Sequence, residues 1–165
     1  MKRTVEVQWE DPVQLAQAGR SVAGIEFLRA IRDGRLPHPP ICALLGYRLT
    51  EVEPGRAVFE MDAGPRHANP MGTLHGGILC DLADAAMGIA FASTLGEGET
   101  FTTLELKINF FKPVWNAKLR AEASMVKRGK TVGMTECEVT DDAGSLVAKA
   151  SSTCMVLAGE KATGR

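Results

Sequence analysis

The sequence has few histidines, no cysteine motif and no excess charge of either sign. Its three histidines show no paired spacing, so they give no metal-ligand signature. Its four cysteines lie far apart without a C-x-x-C motif, which is typical of small core residues in a reducing compartment. The net charge of −1 gives no general attraction to nucleic acid or to an anionic membrane.

Long hydrophobic runs are also absent. The longest run without Asp, Glu, Lys, Arg or His, residues 85–96, is too short to span a bilayer and is typical of a buried helix. The N-terminus, MKRTVEVQWEDP, has no apolar segment of the kind found in secretory signals. These features predict a cytoplasmic protein without a nucleic-acid or membrane partner. The length of 165 residues fits one domain with a sizeable core.

Helical signals dominate the N-terminal part of the chain. Residues 11–33 have apolar side chains at mostly helical spacing, with a capping aspartate before them and a glycine after them, and they predict one helix. A proline-rich joint, residues 36–40, separates this helix from a short second one that ends at Gly46. Residues 1–40 are therefore predicted to form a helical extension.

The rest of the chain alternates like a set of strands around one long helix. Two strands surround the hairpin signal Pro54-Gly55, and a helix that is apolar nearly all round is predicted from about Gly76 to about Thr94. Four more strands follow, joined mainly by hairpins, so the sheet is predicted to be mostly antiparallel. We predict an α+β fold over residues 41–158, in which the sheet wraps the helix, and a mobile tail at 159–165.

The first strand after the long helix, in TFTTLELKINFFKPV, alternates over many residues. Simple alternation places Leu104, Leu106, Ile108 and Phe110 on one face and puts Thr103 on the opposite face.

The segment NPMGTLHGGILCDLADAAMG, residues 69–88, combines a glycine-rich helix entry with two aspartates inside the helix. Asp84 lies between two alanines, where burying a carboxylate is costly unless something satisfies it. Its small neighbours leave room for a ligand, which favours a functional residue over a polar residue at a helix edge. Asp81 is interpreted as an exposed residue or one stabilised by the helix dipole.

The two glycines of the helix entry raise a question of distance. Gly76 and Gly77 expose N–H groups that can bind an anion or stabilise an oxyanion, or they simply allow a tight entry. Asp84 lies eight residues after Gly76, roughly 12 Å along a helix. Both cannot touch one reacting carbon, so either two chains contribute or the helix is bent. Two antiparallel helices at a dimer interface satisfy this requirement.

These residues, together with TTLELKINFFKPV downstream, carry a resemblance to a known family. The pattern N-x-x-G-T-x-H-G-G…L-x-D resembles the hotdog-fold acyl-CoA thioesterases, specifically the PaaI-like (phenylacetate-pathway) branch of the 4-hydroxybenzoyl-CoA thioesterase superfamily. The resemblance covers about residues 45–157. It implies a hotdog fold and hydrolysis of an aromatic or medium-chain acyl-CoA to free acid and CoA, with no metal or other cofactor.

The resemblance also implies roles for individual residues. Asp84 matches the catalytic carboxylate, which acts either as nucleophile or as general base toward water. Gly76 matches the N–H donor to the thioester carbonyl, and Asn69 matches the residue that helps bind the carbonyl or the water. Thr103 matches the hydroxyl that orients the water. His75 belongs to the same motif, where it is interpreted as shaping the loop rather than moving protons.

Substrate and subunit contacts are less specific. The resemblance implies a homodimer that completes the site, and commonly a homotetramer built as a dimer of dimers. Gly77 and a set of basic residues are candidates for binding the CoA end, although an ordinary solvated hairpin tip explains the basic turn equally well. The basic candidates are Lys127, Arg128, Lys130 and Lys112, with Arg66 as a further one. Met87, Phe91 and the short N-terminal helix either line the acyl pocket or are plain core.

Two other functions compete with thioester hydrolysis. Hotdog hydratases pair an acid with a histidine five residues later, but Ile89 follows Asp84 and Ala86 follows Asp81 at that spacing, which disfavours an enoyl-CoA hydratase. A non-catalytic acyl-CoA sensor is the second alternative. Residues 11–33 offer no helix-turn-helix, so a sensor would have no DNA-reading unit of its own.

Overall fold

One antiparallel sheet wraps a single long helix in the computed structural model, which describes residues 2–162. The helices are α1 (Pro12–Arg20), α2 (Gly24–Arg32), α3 (Pro40–Leu45) and α4 (Gly76–Ala92). The strands are β1 (Tyr47–Glu53), β2 (Arg56–Ala63), β3 (Thr100–Phe110), β4 (Ala117–Arg128), β5 (Val132–Thr140) and β6 (Leu146–Leu157), in the sheet order β1-β2-β4-β5-β6-β3. The predicted α+β hotdog architecture with N-terminal helices is confirmed.

The long helix α4 forms the centre of the core. It packs against all six strands, and its fully buried side chains include Leu82, Ala86, Met87 and Phe91. The hydroxyls of the two residues after the helix bond back to carbonyls of its last turn, so α4 ends at Ala92 rather than at the expected Thr94. This packing on every side explains why the helix has almost no polar face.

The predicted single helix over residues 11–33 is wrong, because the chain breaks into α1 and α2 between residues 21 and 23. The cause is a tertiary contact at Gly24. Its N–H donates to the Leu95 carbonyl at 3.0 Å, and a Cβ atom there would lie only 2.0 Å from the Ala92 carbonyl oxygen. Only glycine allows so close an approach, and the contact fixes the start of α2 against the end of α4.

The strand β3 contains an irregularity that simple alternation misses. Thr103 pairs with Cys154 and Glu105 pairs with Thr153, which leaves Leu104 without a partner as a β-bulge. Leu104 is 52 % exposed, whereas Leu106 beyond the bulge packs against the core. Thr103 therefore faces α4, and the prediction that it lies on the face opposite to Leu106 is wrong.

The strand β3 is also an unpaired edge of the sheet. It is 11 residues long and carries exposed apolar side chains at Leu104 and Phe110, followed directly by the exposed Phe111. Long apolar edge strands are templates for pairing with another chain. We call β3 with Phe111 the β3 edge.

The C-terminal end of the described chain is a short turn. Gly159–Ala162 form a 3₁₀ turn, of which Gly159 and Ala162 line a cavity together with residues of α1 and α2. Residues 163–165 lie outside the described part of the chain. The division into an extension, a domain and a tail stays a prediction.

Two general expectations can be compared with the structure. Cys42, Cys137 and Cys154 are buried free thiols of the core, as expected, whereas Cys80 is a half-buried free thiol outside the core cluster. None of the helices within residues 2–162 combines the length and the apolarity that crossing a bilayer requires.

Candidate active site

The carboxylate of Asp84 and the hydroxyl of Thr103 meet in the middle of α4. The Thr103 Oγ1 donates to Asp84 Oδ1 at 3.2 Å, and the bulge at Leu104 turns Thr103 toward the helix. Burial raises the pKa of the Asp84 carboxyl above its ordinary value. The hydrogen bond from Thr103 lowers this pKa, and the nearby charge of Asp81 raises it. The side chain thus has the environment of a carboxylate that accepts protons more readily than an exposed one.

A largely apolar cavity of about 200 Å³ opens beside these two residues. We call it the Asp84 pocket. α4 contributes small residues around the carboxylate, and β1 and β2 contribute the buried Tyr47, Leu49 and Phe59. Residues between 28 and 42 of the N-terminal segment form another wall. Ala85, one of the two small neighbours of Asp84, also lines the pocket.

The aspartate one turn earlier is neither exposed nor held by the helix dipole alone. Tyr47 Oη donates to Asp81 Oδ1 at 2.6 Å, and Tyr47, the first residue of β1, is buried. Burial and this bond raise the pKa of Tyr47, so the phenol remains a donor. Asp81 is thus half-buried and bonded to Tyr47 rather than exposed, and its stabilisation by the helix dipole stays a prediction.

A thiol in the same pocket offers no competing nucleophile. Cys42 lines the Asp84 pocket, and burial raises the pKa of its thiol to about 12. The thiolate is the reactive form of cysteine, so this group stays unreactive near neutral pH. Asp84 is the one carboxylate in the lining of this pocket, beside the ionisable side chains of His38 and Tyr47.

The first turn of α4 exposes one backbone donor. The ring Nδ1 of His75 accepts from the Gly77 N–H at 2.9 Å and so caps the helix. The N–H of Gly76 finds no acceptor within residues 2–162. Of the two glycines, Gly76 therefore has the available donor and Gly77 does not, while the exposed His75 acts as a cap.

The loop before α4 is ordered by Asn69. Its Nδ2 donates to Thr73 Oγ1 at 2.8 Å, and its Oδ1 accepts from the Met71 N–H at 2.9 Å. Its backbone bonds Thr73 and Gly72 as well. Asn69 thus shapes the loop that carries the helix entry, and within one chain its side-chain partners belong to that loop.

The structure thus brings the candidate residues together in two groups. Asp84 and Thr103 form one group, and Asn69, His75 and Gly76 form the other, at the N-terminal end of the same helix. Eight helical residues, or roughly 12 Å, separate the groups. No single substrate atom contacts both groups within one chain.

The basic candidates for CoA binding differ in how they are engaged. Arg128 Nε donates to Thr94 Oγ1 at 3.1 Å, and its guanidinium lies 5.0 Å from the centre of the Phe91 ring. Lys112 forms an ion pair with Asp141. Lys127 and Lys130 are exposed, with no side-chain partner among residues 2–162.

Sequence reasoning missed part of the pocket lining and left open whether Met87 and Phe91 belong to it. Met87 and Phe91 do not line the Asp84 pocket, because they lie on the fully buried side of α4. Gly88, Phe101 and His38 line it instead. Gly88 follows Asp84 by one helical turn, and Phe101 precedes Thr103 by two strand residues. These two spacings carried a signal, whereas nothing local pointed to His38.

Comparison with known proteins agrees with this geometry. A sequence model of the thioesterase superfamily matches residues 71–148. Acyl-coenzyme A thioesterase 13 of Homo sapiens is 32 % identical over 110 residues, covering 64 % of this chain and 76 % of the relative. The 1,4-dihydroxy-2-naphthoyl-CoA hydrolase of Listeria monocytogenes is 28 % identical over 112 residues, covering 68 % of this chain and 91 % of the relative.

A solved structure shows the same likeness in three dimensions. The fold aligns with a mutant of the phenylacetic acid degradation protein PaaI from Thermus thermophilus at a TM-score of 0.66 and 29 % identity, covering 71 % of this chain and 98 % of that one. The resemblance read from the helix-entry motif is thereby confirmed. The chain belongs to the thioesterase superfamily and is a hydrolase.

Proposed function

We propose that the protein hydrolyses the thioester of an aromatic or medium-chain acyl-CoA to the free acid and CoA. One observation carries this proposal: a half-buried carboxylate, hydrogen-bonded by Thr103, faces an apolar cavity on the central helix of a thioesterase-superfamily chain. A carboxylate with a raised pKa suits proton transfer from water near neutral pH, and the apolar cavity suits an acyl group.

The chemistry needs only groups that the chain and water supply. With Asp84 as general base, water attacks the thioester carbon while Asp84 takes its proton, and the carbonyl oxygen becomes an oxyanion. Collapse of this intermediate expels CoA, whose sulfur takes up a proton. With Asp84 as nucleophile, its carboxylate forms an anhydride with the acyl group and releases CoA, and water then hydrolyses the anhydride. Gly76 N–H stabilises the oxyanion in both routes.

The cavity size supports the acyl class. A dry cavity of about 150 Å³ is enough to bind benzene. The Asp84 pocket, at about 200 Å³, fits one aromatic ring or an apolar chain of similar volume. The Listeria and Thermus relatives are named for aromatic substrates or for phenylacetic acid degradation, which agrees with this size.

A homodimer supplies the donor that each Asp84 lacks. The β3 edge is a long apolar edge strand, suited to antiparallel pairing with a second copy. Pairing of this kind would set two α4 helices side by side, so that Gly76 of one chain faces Asp84 of the other. A tetramer of two such dimers is part of the proposal. At the CoA end, the unpartnered Lys127 and Lys130 are better candidates for the phosphates than Arg128 or Lys112.

Thiol release with a chromogenic disulfide reagent tests the activity directly. The panel contains phenylacetyl-, benzoyl- and straight-chain acyl-CoAs of short, medium and long chain, with the wild type beside Asp84→Asn. We expect hydrolysis of aromatic or medium-chain members and a loss of at least about 100-fold in the variant, the effect of removing a general base.

The stability of Asp84→Asn shows whether a loss of activity comes from the missing carboxylate or from unfolding. A carboxyl whose folded-state pKa is raised destabilises the fold once ionised, and this cost grows as the pH rises through that pKa. An amide at position 84 should therefore leave the melting temperature unchanged or higher at pH 7. Binding of acyl-CoA without hydrolysis by the wild type would favour a sensor. Water addition to an enoyl-CoA would favour a hydratase.

A further inference from the structure

A second apolar cavity lies directly behind the Asp84 pocket. It measures about 370 Å³, and we call it the rear cavity. Its walls come from α1, α2, the end of α4, the start of β3 and Gly159–Ala162. Most of its lining is glycine, alanine, leucine and phenylalanine, with Arg20 and Glu99 as the charged residues. Because α1 and α2 supply one side of the rear cavity, it would not be enclosed there without the N-terminal helices.

Three side chains line both cavities and form the wall between them. They are Leu28 of α2, Ile89 of α4 and Phe101 of β3. Leu28 is almost fully buried, whereas Ile89 and Phe101 are only partly buried. The wall is thus made of three separate elements, and the largest of its side chains is the Phe101 ring.

The ring of Phe101 is held in place by α4. It lies 5.5 Å from the Phe91 ring, centre to centre. It also rests on Gly88, where an added Cβ atom would approach the ring to 3.1 Å. Gly88 lies one turn beyond Asp84, and Phe101 lies two residues before Thr103. The ring therefore stands where an acyl group attached beside Asp84 and Thr103 would extend.

We propose that Phe101, with Leu28 and Ile89, sets the upper limit on acyl length by closing the Asp84 pocket against the rear cavity. This inference rests on the proposed acyl-CoA hydrolysis. With the Phe101 side chain in place, the Asp84 pocket admits one aromatic acyl group or an apolar chain of similar volume. Without it, the space available to the acyl group more than doubles, and straight-chain acyl groups gain an apolar path toward α1 and α2.

The test is the chain-length profile of Phe101→Ala, measured in two ways. Hydrolysis is followed on straight-chain acyl-CoAs of increasing length and on phenylacetyl-CoA, and binding of the same compounds is measured by calorimetry in an Asp84→Asn background. We expect the ratio of long-chain to phenylacetyl kcat/KM to rise by at least about tenfold, since each added methylene in an apolar site discriminates strongly. Binding should shift in the same direction.

A second substitution that refills the rear cavity distinguishes control of the acyl length from a general loosening of the fold. Ala16 lines the rear cavity from α1, so Ala16→Phe added to Phe101→Ala should restore the short-chain profile. Ala18→Phe lies on the same helix but outside the cavity lining, and it should leave the shifted profile unchanged.

The two proposals fail in different ways. Hydrolysis with an unchanged length profile in Phe101→Ala would overturn the wall and leave the thioesterase intact. A shifted binding profile without any hydrolysis would support the wall and overturn the proposed activity. Neither binding nor hydrolysis of any acyl-CoA would overturn both.

Discussion

The two functional regions of α4 have opposite surroundings. At its N-terminal end, His75 is exposed and the side chain of Asn69 orders the preceding loop by hydrogen bonds. The N–H of Gly76 has no acceptor there within residues 2–162. In its middle, Asp84 faces an apolar cavity covered by the N-terminal segment. The N-terminal end of α4 therefore offers an uncharged N–H donor at the surface. The middle of the helix offers a carboxylate whose pKa is raised by burial.

The difference indicates how one helix could supply two different groups to the proposed reaction. An N–H donor gains from the helix dipole at the N-terminus and needs no burial to be oriented. A carboxylate gains basicity only when it is withdrawn from water. The two groups are separated by roughly 12 Å along α4. In the proposed dimer, two antiparallel copies of α4 would bring unlike ends together.

The largest effect should come from removing the donor alone. Gly76 is the first residue of α4, where proline is tolerated, and His75 before it has φ −66° and ψ 131°, which precede proline without strain. Gly76→Pro deletes the N–H and should lower kcat by about 100- to 1000-fold. Steady-state thiol release measures this.

Gly76→Ala is the matched control for that variant. It adds the same Cβ atom, which would lie 3.2 Å from the Phe110 ring, but it keeps the N–H. We expect it to retain far more activity than Gly76→Pro. Equal losses in the two variants would mean that crowding against Phe110, and not the donor, limits the rate.

Mixing two inactive variants tests whether the two regions come from different chains. A mixed dimer of Gly76→Pro and Asp84→Ala has one site with both groups intact if each site uses two chains. After unfolding and refolding together, we expect about a quarter of wild-type activity, because half the dimers are mixed and each has one working site. If one chain supplies both groups, the mixture should stay as inactive as its parents.

The smallest effects should be shifts in the pH dependence of kcat/KM. Thr103→Val removes the bond that favours ionised Asp84, so the acidic limb should move to higher pH. Asp81→Asn removes a neighbouring negative charge but keeps an oxygen for Tyr47, so the limb should move to lower pH. Thr103→Ser should restore the wild-type profile. Shifts in the same direction for Thr103→Val and Asp81→Asn would contradict Asp84 as the titrating group.

Local sequence signals predicted the architecture well where the structure depends on local contacts. Pro54-Gly55 marks the β1–β2 hairpin, and the apolar run after Gly76 marks α4, because turn geometry and helical periodicity are properties of neighbouring residues. The break before Gly24 was missed because its cause lies 68 residues away at Ala92. No capping or spacing signal in residues 11–33 encodes that contact.

The candidate site could be predicted in its chemistry but not in its surroundings. The motif named Asp84 and Gly76, and the distance between them pointed to two chains. The bond from Tyr47 to Asp81 spans 34 residues, and its geometry arises only when β1 lies along α4. The rear cavity arises from α1 and α2 packing on the end of the helix, which periodicity cannot reveal.

The bulge at Leu104 divides β3 into two segments, and the alternation of inward- and outward-facing side chains in one does not continue into the other. Before Leu104, the inward-facing side chains lie beside Asp84. After Leu104, they pack against the core and belong to the β3 edge. An inserted or deleted residue normally turns a whole strand inside out. Here one extra residue absorbs that shift, so substitutions along the β3 edge need not disturb the orientation of Thr103.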